Sequence, residues 1–295
     1  MQMNYTMKIT RKTFLRQSLM ALVGIGLLPK AFSLNLKAPP GLVKKWLGDT
    51  GIQVTTLGFG ASRTQEPAVL KMALDKGITF LDTGRSYANG QNEEMIGSAL
   101  KGIRQQYVIQ SKMKVDAGND PKRIRSQMET SLQESLEALQ TDYIDVMLLH
   151  GVRDQETIQN ETIRKVFTEM KNRGQIRACG FSSHTNHVPV LTEANTDHFF
   201  DVAMVPFNPF GGFKHSRSGW ATSWDQEELI RQMMKAHQQG TGIVAMKTCS
   251  GGPYAFYQQD QASLPGAVKW VLSQDFVDTS AVAMASFKEI QDHTG

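Results

Sequence analysis

Short apolar runs recur along this chain, and between them lie stretches whose apolar residues are spaced three or four apart. The runs at 57–60, 79–82, 107–111, 143–149, 177–181, 202–205, 242–246 and 279–284 read as strands. Each is β-rich and four to seven residues long. The stretches at 68–76, 92–101, 121–139, 163–172, 188–193, 225–238, 264–273 and 288–293 read as helices. In the longest of them Ile124, Met128, Leu132, Leu136 and Leu139 form one face, and Pro121 opens it. Gly77, Gly174 and Gly240 stand where helices stop before the next strand.

Strand then helix, repeated eight times, implies parallel strands joined by right-handed crossovers. Eight such units close into a (β/α)8 TIM barrel. Two stretches fall outside the repeat. At 44–56, turn residues between Gly48 and Gly51 separate two alternating runs, a hairpin signal. It is placed to plug the bottom of the barrel. At 209–224 a long Gly- and aromatic-rich loop follows the sixth strand. The expected division is an export signal over 1–33, a linker over 34–43 and the barrel over 44–295.

Composition fits this picture. Hydrophobic residues make up 40% of the chain and charged residues 20%, enough core for one barrel. The formal charge is +4, but Lys8, Arg11, Lys12, Arg16 and Lys30 all lie before residue 34, where there is no Asp or Glu. Removing those five leaves −1 for the rest. No broad basic surface remains for nucleic acid. The cations around Arg11 precede an apolar run at 19–28, and Ala31 and Ser33 end it with small residues. That order describes a secretory signal. Its cationic part resembles a twin-arginine signal with Lys12 for the second arginine. Periplasmic location and contact with the twin-arginine export machinery are therefore expected. The alternative is a short amphipathic helix on a cytoplasmic protein.

The chemistry of such a barrel sits at the C-terminal ends of its strands. Asp82 ends the second strand, with Tyr87 in the loop beyond it. Lys112 follows the third, His150 the fourth, Ser182, Ser183 and His184 the fifth, and Lys247 the seventh. A tyrosine is a poor acid near neutrality, with a pKa of about 10. A lysine cation beside it favours the phenolate and lowers that pKa, and an aspartate keeps the lysine charged. A histidine can orient a carbonyl. Such a set suits protonation of the alkoxide formed when a hydride reduces a carbonyl. No zinc-type spacing involves Cys179 or Cys249, which read as buried thiols, and no metal is expected. His184 and His187 read as a surface loop. Trp220 and Trp224 read equally as pocket lining or as loop packing. Gly58-Phe-Gly60 lacks the third glycine of a dinucleotide fingerprint.

The stretch GITFLDTGRSY at 77–87, continued by NEEMIG at 92–97, resembles the aldo-keto reductase signature. LGFG at 57–60, LQESLEALQTDYIDVMLLH at 132–150 and GFSSH at 180–184 resemble the same family, so the likeness runs from about Lys45 onward. The resemblance implies a tetrad of Asp82, Tyr87, Lys112 and His150. Tyr87 would be the general acid and Lys112 its partner. Asp82 would support Lys112, and His150 would orient a small-molecule carbonyl substrate. It also implies NADPH or NADH, with NADPH the family default. The cofactor positions would be Gly60, Ala61, Ser62, Asp82, Ser182, Ser183, Met204, Met246, Lys247 and Ser286.

Several of these depart from the family pattern. Ser183 stands for Asn, Met204 for Gln and Met246 for a stacking Tyr. Ala283 and Glu289 fall where cations grip the 2′-phosphate, so modest discrimination between NADPH and NADH is expected. Gly295 falls early in the eighth helix, where family members usually continue. Two other readings are a cofactor-binding sensor or regulatory subunit on the same barrel, and a metal-dependent hydrolase that lacks its ligand cluster. Oligomeric state is not legible.

Overall fold

The computed structural model describes residues 42–214, 219–249 and 264–295. The expected export signal lies outside them, as does the linker up to residue 41.

The hairpin is present: β1 (Lys44–Trp46) pairs antiparallel with β2 (Gln53–Thr55). Six parallel strands follow: β3 (Leu57–Gly60), β4 (Phe80–Asp82), β5 (Val108–Met113), β6 (Ile144–His150), β7 (Ile176–Ser182) and β8 (Val202–Pro206). A second hairpin, β9 (Gly212–Lys214) and β10 (Ala221–Ser223), precedes β11 (Gly242–Met246) and β12 (Thr279–Ala283). The barrel closes in the order β11-β12-β3-β4-β5-β6-β7-β8, with β8 pairing back onto β11.

The strands are buried on both faces, which is why they read as continuous apolar runs. Side chains of alternate positions point inward. The barrel is filled by Phe80, Val108, Val146, Leu148, Ala178, Val202, Met204, Val244, Met246 and Ala281. Leu47, Ile52 and Val54 of the β1–β2 hairpin join this interior cluster and close one end. The opposite faces of the strands meet the helices. Ile109, Met147, Leu149 and Phe181 share that outer layer with Ile124, Met128, Leu132, Val166, Phe167 and Met170.

The boundaries shift by a few residues where tertiary pairing extends a strand. β5 runs on to Met113 because Lys112 and Met113 pair with Leu148 and Leu149. Lys112 is therefore inside the strand and not just beyond it. A short helix, Gln155–Gln159, was not expected; Asp154 caps it by accepting from the Thr157 N–H at 2.7 Å. The loop expected over 209–224 is partly the β9–β10 hairpin.

Candidate active site

Asp82, Lys112 and His150 come from three adjacent strands, β4, β5 and β6, and all sit at the same mouth of the barrel. Lys112 is only 1% exposed. Its Nζ donates to Asp82 Oδ1 at 2.5 Å and to the Thr83 carbonyl at 2.6 Å. Burial lowers the Lys112 pKa, but attraction to Asp82 and Tyr87 outweighs it and leaves the net value raised. The cation is therefore fixed.

Tyr87 packs beside it, with Lys112 Nζ 4.9 Å from the ring centre and the His150 ring edge-on at 5.7 Å. The Tyr87 hydroxyl pKa is raised: burial pushes it up, the Lys112 charge opposes this, and Asp82 adds to the rise. This corrects the sequence expectation. The lysine does lower the tyrosine pKa, but removal from water is the larger effect in this state. His150 is pushed down to about 3, by burial and then by Lys112 and Lys114, so its ring is neutral. Its Nδ1 lies 3.2 Å from Ser86 Oγ. A cavity of about 400 Å³ opens beside His150, between residues 115–118 and 149–160.

The loop that presents Tyr87 is held from beneath. Asn92 takes the Thr83 hydroxyl at 2.7 Å and donates to the Ala61 and Thr64 carbonyls at 2.9 and 2.8 Å. Buried Glu93 accepts from Ser111 at 2.5 Å and Ser135 at 3.3 Å, and pairs with Arg85 at 2.8 Å. Ala88 and Asn89 adopt φ of 49° and 53°, and Gly90 follows at 93°. The φ of Gly90 favours glycine, and a Cβ there would also displace the Arg85 guanidinium. Sequence reasoning missed Ser86, Glu93 and Gln110. Gln110 had a signal: it is two residues before Lys112 on one strand and so shares its face. Its Nε2 donates to Asp82 Oδ1 at 2.6 Å and meets Met204 Sδ at 3.4 Å, while its Oε1 is buried without a partner among the described residues.

The expected cofactor residues ring the same mouth. Gly60 ends β3, and Ala61 and exposed Ser62 form the turn after it. Ser182 Oγ accepts from the Gly151 N–H at 3.0 Å and donates to the Leu149 carbonyl at 3.2 Å. Ser183 Oγ lies 2.7 Å from the Val152 carbonyl and 2.8 Å from that of Thr185. Both hydroxyls thus pin the turn after β7. Met204 and Met246 are buried in the barrel interior. Ser286 caps the last helix, Phe287–Thr294, by accepting from the Glu289 N–H at 3.2 Å. Glu289 pairs with Arg63 at 3.2 Å, a cation that the sequence reading did not bring to this corner. Lys247, with φ of 56°, turns its Nζ toward the His184 carbonyl at 3.4 Å.

The surface-loop reading of His184 and His187 is corrected. His187 is 2% exposed, edge-on to Trp224 at 5.0 Å, and neither ring nitrogen has a partner among the described residues. His184 is half-buried, 5.8 Å from the His150 ring. Trp224 packs a loop, while Trp220 lies over Lys247. Cys179 is buried and Cys249 half-buried. Among the described residues no group of His, Cys, Asp or Glu is arranged to hold a metal ion.

Residues 54–266 match the Aldo/keto reductase family. The chain belongs to that family. Aldo-keto reductase YhdN of Bacillus subtilis is 33% identical over 153 residues, 46% of each chain. The match thus spans about half the length of the curated relatives. This family member also superposes on the holo form of an aldo-keto reductase from Bacillus halodurans, with a TM-score of 0.68 at 24% identity, covering 86% of this chain and 90% of that one. An aldo-keto reductase from Klebsiella pneumoniae in complex with NADPH gives a TM-score of 0.64 at 22% identity over 86% and 89%. At that identity both likenesses concern the fold.

Proposed function

We propose that this protein reduces aldehydes or ketones to alcohols with NADPH or NADH. The observation that carries this reading is the joined set of Asp82, Lys112, Tyr87 and His150 at the barrel mouth. A substrate carbonyl oxygen placed between Tyr87 and His150 meets two neutral donors. With Ser86 donating to Nδ1, the His150 ring proton stands on Nε2 and orients the oxygen. The Tyr87 hydroxyl, protonated throughout the neutral range, gives its proton to the oxygen as negative charge develops. The Lys112 ammonium compensates the phenolate that remains, and Asp82 keeps that ammonium charged.

The cofactor supplies the hydride when bound. The residues present fit it: Gln110, whose Nε2 meets Met204, has a buried Oε1 without a partner among the described residues, an acceptor for a carboxamide N–H. Met204 and Met246 offer polarizable thioethers to a ring face. Gly60, Ala61, Ser62, Ser182, Ser183 and Ser286 line the path, and the NADPH complex of the Klebsiella relative supports the choice of cofactor. Substrates are small carbonyl compounds. We also propose export to the periplasm by the twin-arginine machinery, on the order of charges and apolar residues in 1–33. N-terminal sequencing of protein from its native compartment should then find a start near residue 34; a retained Met1 in cytoplasmic protein would overturn this.

The test of the activity is turnover of 4-nitrobenzaldehyde, followed by loss of NADPH or NADH absorbance. Cofactor that binds tightly but is never oxidised by any aldehyde would favour a sensor on the same barrel instead.

A further inference from the structure

Lys247 is half-buried, and burial alone lowers its pKa. Among the described residues it forms no ion pair. Its Nζ lies 4.5 Å from the Phe213 ring centre and 4.6 Å from that of Trp220, two rings tilted together at 5.3 Å. Among the described residues its one hydrogen-bond partner is the His184 carbonyl, at 3.4 Å. The Lys247 backbone is left-handed, with φ of 56°. Cation–π contact offsets part of the cost of desolvating an ammonium, but among the described residues only one carbonyl accepts from its three protons.

The His184 ring is 5.8 Å from the His150 ring, which in turn is 5.7 Å from that of Tyr87. His184 therefore neighbours both: its ring lies beside that of His150, and its backbone carbonyl accepts from the Lys247 ammonium. A molecule whose carbonyl reaches Tyr87 and His150 can place a second group at Lys247.

We infer that Lys247 receives an ionised carboxylate on the substrate, so that the compounds reduced are carbonyl acids. This rests on the reductase reading above and moves Lys247 from the cofactor to the substrate. The carboxylate supplies the acceptors that the ammonium lacks, as a charge-assisted contact in a poorly hydrated place. Phe213 and Trp220 shield it from water and suit an apolar or aromatic spacer.

The contact is pH-dependent with a definite sign. Burial drops the Lys247 pKa to about 7, so the binding form exists below that pH and is lost above it. The groups that face it do not titrate in the same window. His184, His187 and His150 are pushed down to about 3, 4 and 3 and stay neutral. Lys112 remains charged, and Lys214 on the hairpin is exposed. A ligand carboxylate, with a pKa of about 4, is ionised throughout.

The experiment compares 4-carboxybenzaldehyde with its methyl ester, methyl 4-formylbenzoate, by calorimetry on the full protein with NADP⁺, where no reduction can occur. The acid should bind at least about tenfold more tightly than the ester near pH 6, and that ratio should fall toward one near pH 8.5. Lys247→Arg should keep the ratio at both pH values. Lys247→Met should bring it to one at both, with circular dichroism confirming that the variant is folded. A ratio of one in the unaltered protein near pH 6, or a ratio that survives in Lys247→Met, would overturn the inference. So would a Lys247→Met protein that loses NADP⁺ affinity while keeping the ratio, because the anion would then be a cofactor phosphate. Failure to reduce either aldehyde with NADPH would instead count against the reductase reading, and the binding ratio stays measurable.

Discussion

Tyr87 holds the proton that the proposed reaction needs, and its burial keeps that proton in place until charge develops beside it. Replacing Tyr87 by Phe retains the ring against His150 and removes only the acid. Turnover of 4-nitrobenzaldehyde should fall by about 10² to 10⁴, while the NADPH dissociation constant should change less than about threefold. Undiminished turnover would refute the assigned role. At the other end of the cofactor path, Glu289 accepts from Arg63 and from the Ala285 N–H, at 3.2 and 2.6 Å. A carboxylate there opposes a 2′-phosphate and occupies the nearby guanidinium. NADPH and NADH affinities should therefore differ by less than about a thousandfold. Glu289→Gln should raise the NADPH preference by about tenfold, since one charge-assisted contact is worth about 1.5–3 kcal/mol. Paired fluorescence titrations at one ionic strength measure both, and an unchanged preference in the variant would disconnect Glu289 from the phosphate.

At the scale of elements, the helix Gln91–Ala99 carries Asn92 and Glu93, the two side chains that hold the Tyr87 loop. It crosses the helix Pro121–Leu139 with almost no space between the backbones. A Cβ on Gly97 would lie 2.5 Å from the Ala138 carbonyl oxygen and 2.6 Å from the Leu139 carbonyl carbon. These contacts are backbone, so no flexible side chain can yield. Gly97→Ala should destabilise the protein by about 1–3 kcal/mol, even though alanine is the better helix former. Urea denaturation reads this directly, and an equal or higher midpoint would show that the crossing relaxes freely. A fall in turnover beyond the loss of folded protein should accompany it, because Glu93 shifts with the helix.

For the whole molecule, the buried histidines set the response to acid. His187 is held neutral in a site where both ring nitrogens lack partners among the described residues. Burial drops its pKa to about 4, below the usual value of 6.5. The unfolded chain therefore binds this proton first, and the folded state loses ground as pH falls from about 6.5 toward 4. His187→Leu removes that proton and the two orphaned nitrogens together. The variant should gain on the unaltered protein by about 1.4 kcal/mol per pH unit through this window, measured by urea denaturation at several pH values. Comparing the two proteins cancels the opposite contributions of Glu93 and Asp278, whose pKa values burial raises. A pH-independent difference would mean that His187 is wet.

Much of this was legible in the chain itself. The alternation of runs and helical stretches follows from local periodicity, because a strand buried on two faces must be apolar throughout and a surface helix must not. The β1–β2 plug was legible because its alternating residues needed an interior to enter. Asp82, Tyr87, Lys112 and His150 were found because a parallel barrel brings the ends of its strands together whatever their distance in sequence. Other features depend on which strand sits beside which and at what register. Gln110 meets Met204 across the barrel, 94 residues away. Ser86 reaches His150, and Arg63 reaches Glu289, only after closure. Burial, which no sequence position states, reversed the expected direction for Tyr87 and took His187 out of water. The chain fixed which groups stand at the mouth of the barrel. Only the packed barrel fixed how far apart they lie and how much water reaches them, and those two quantities govern their acidity.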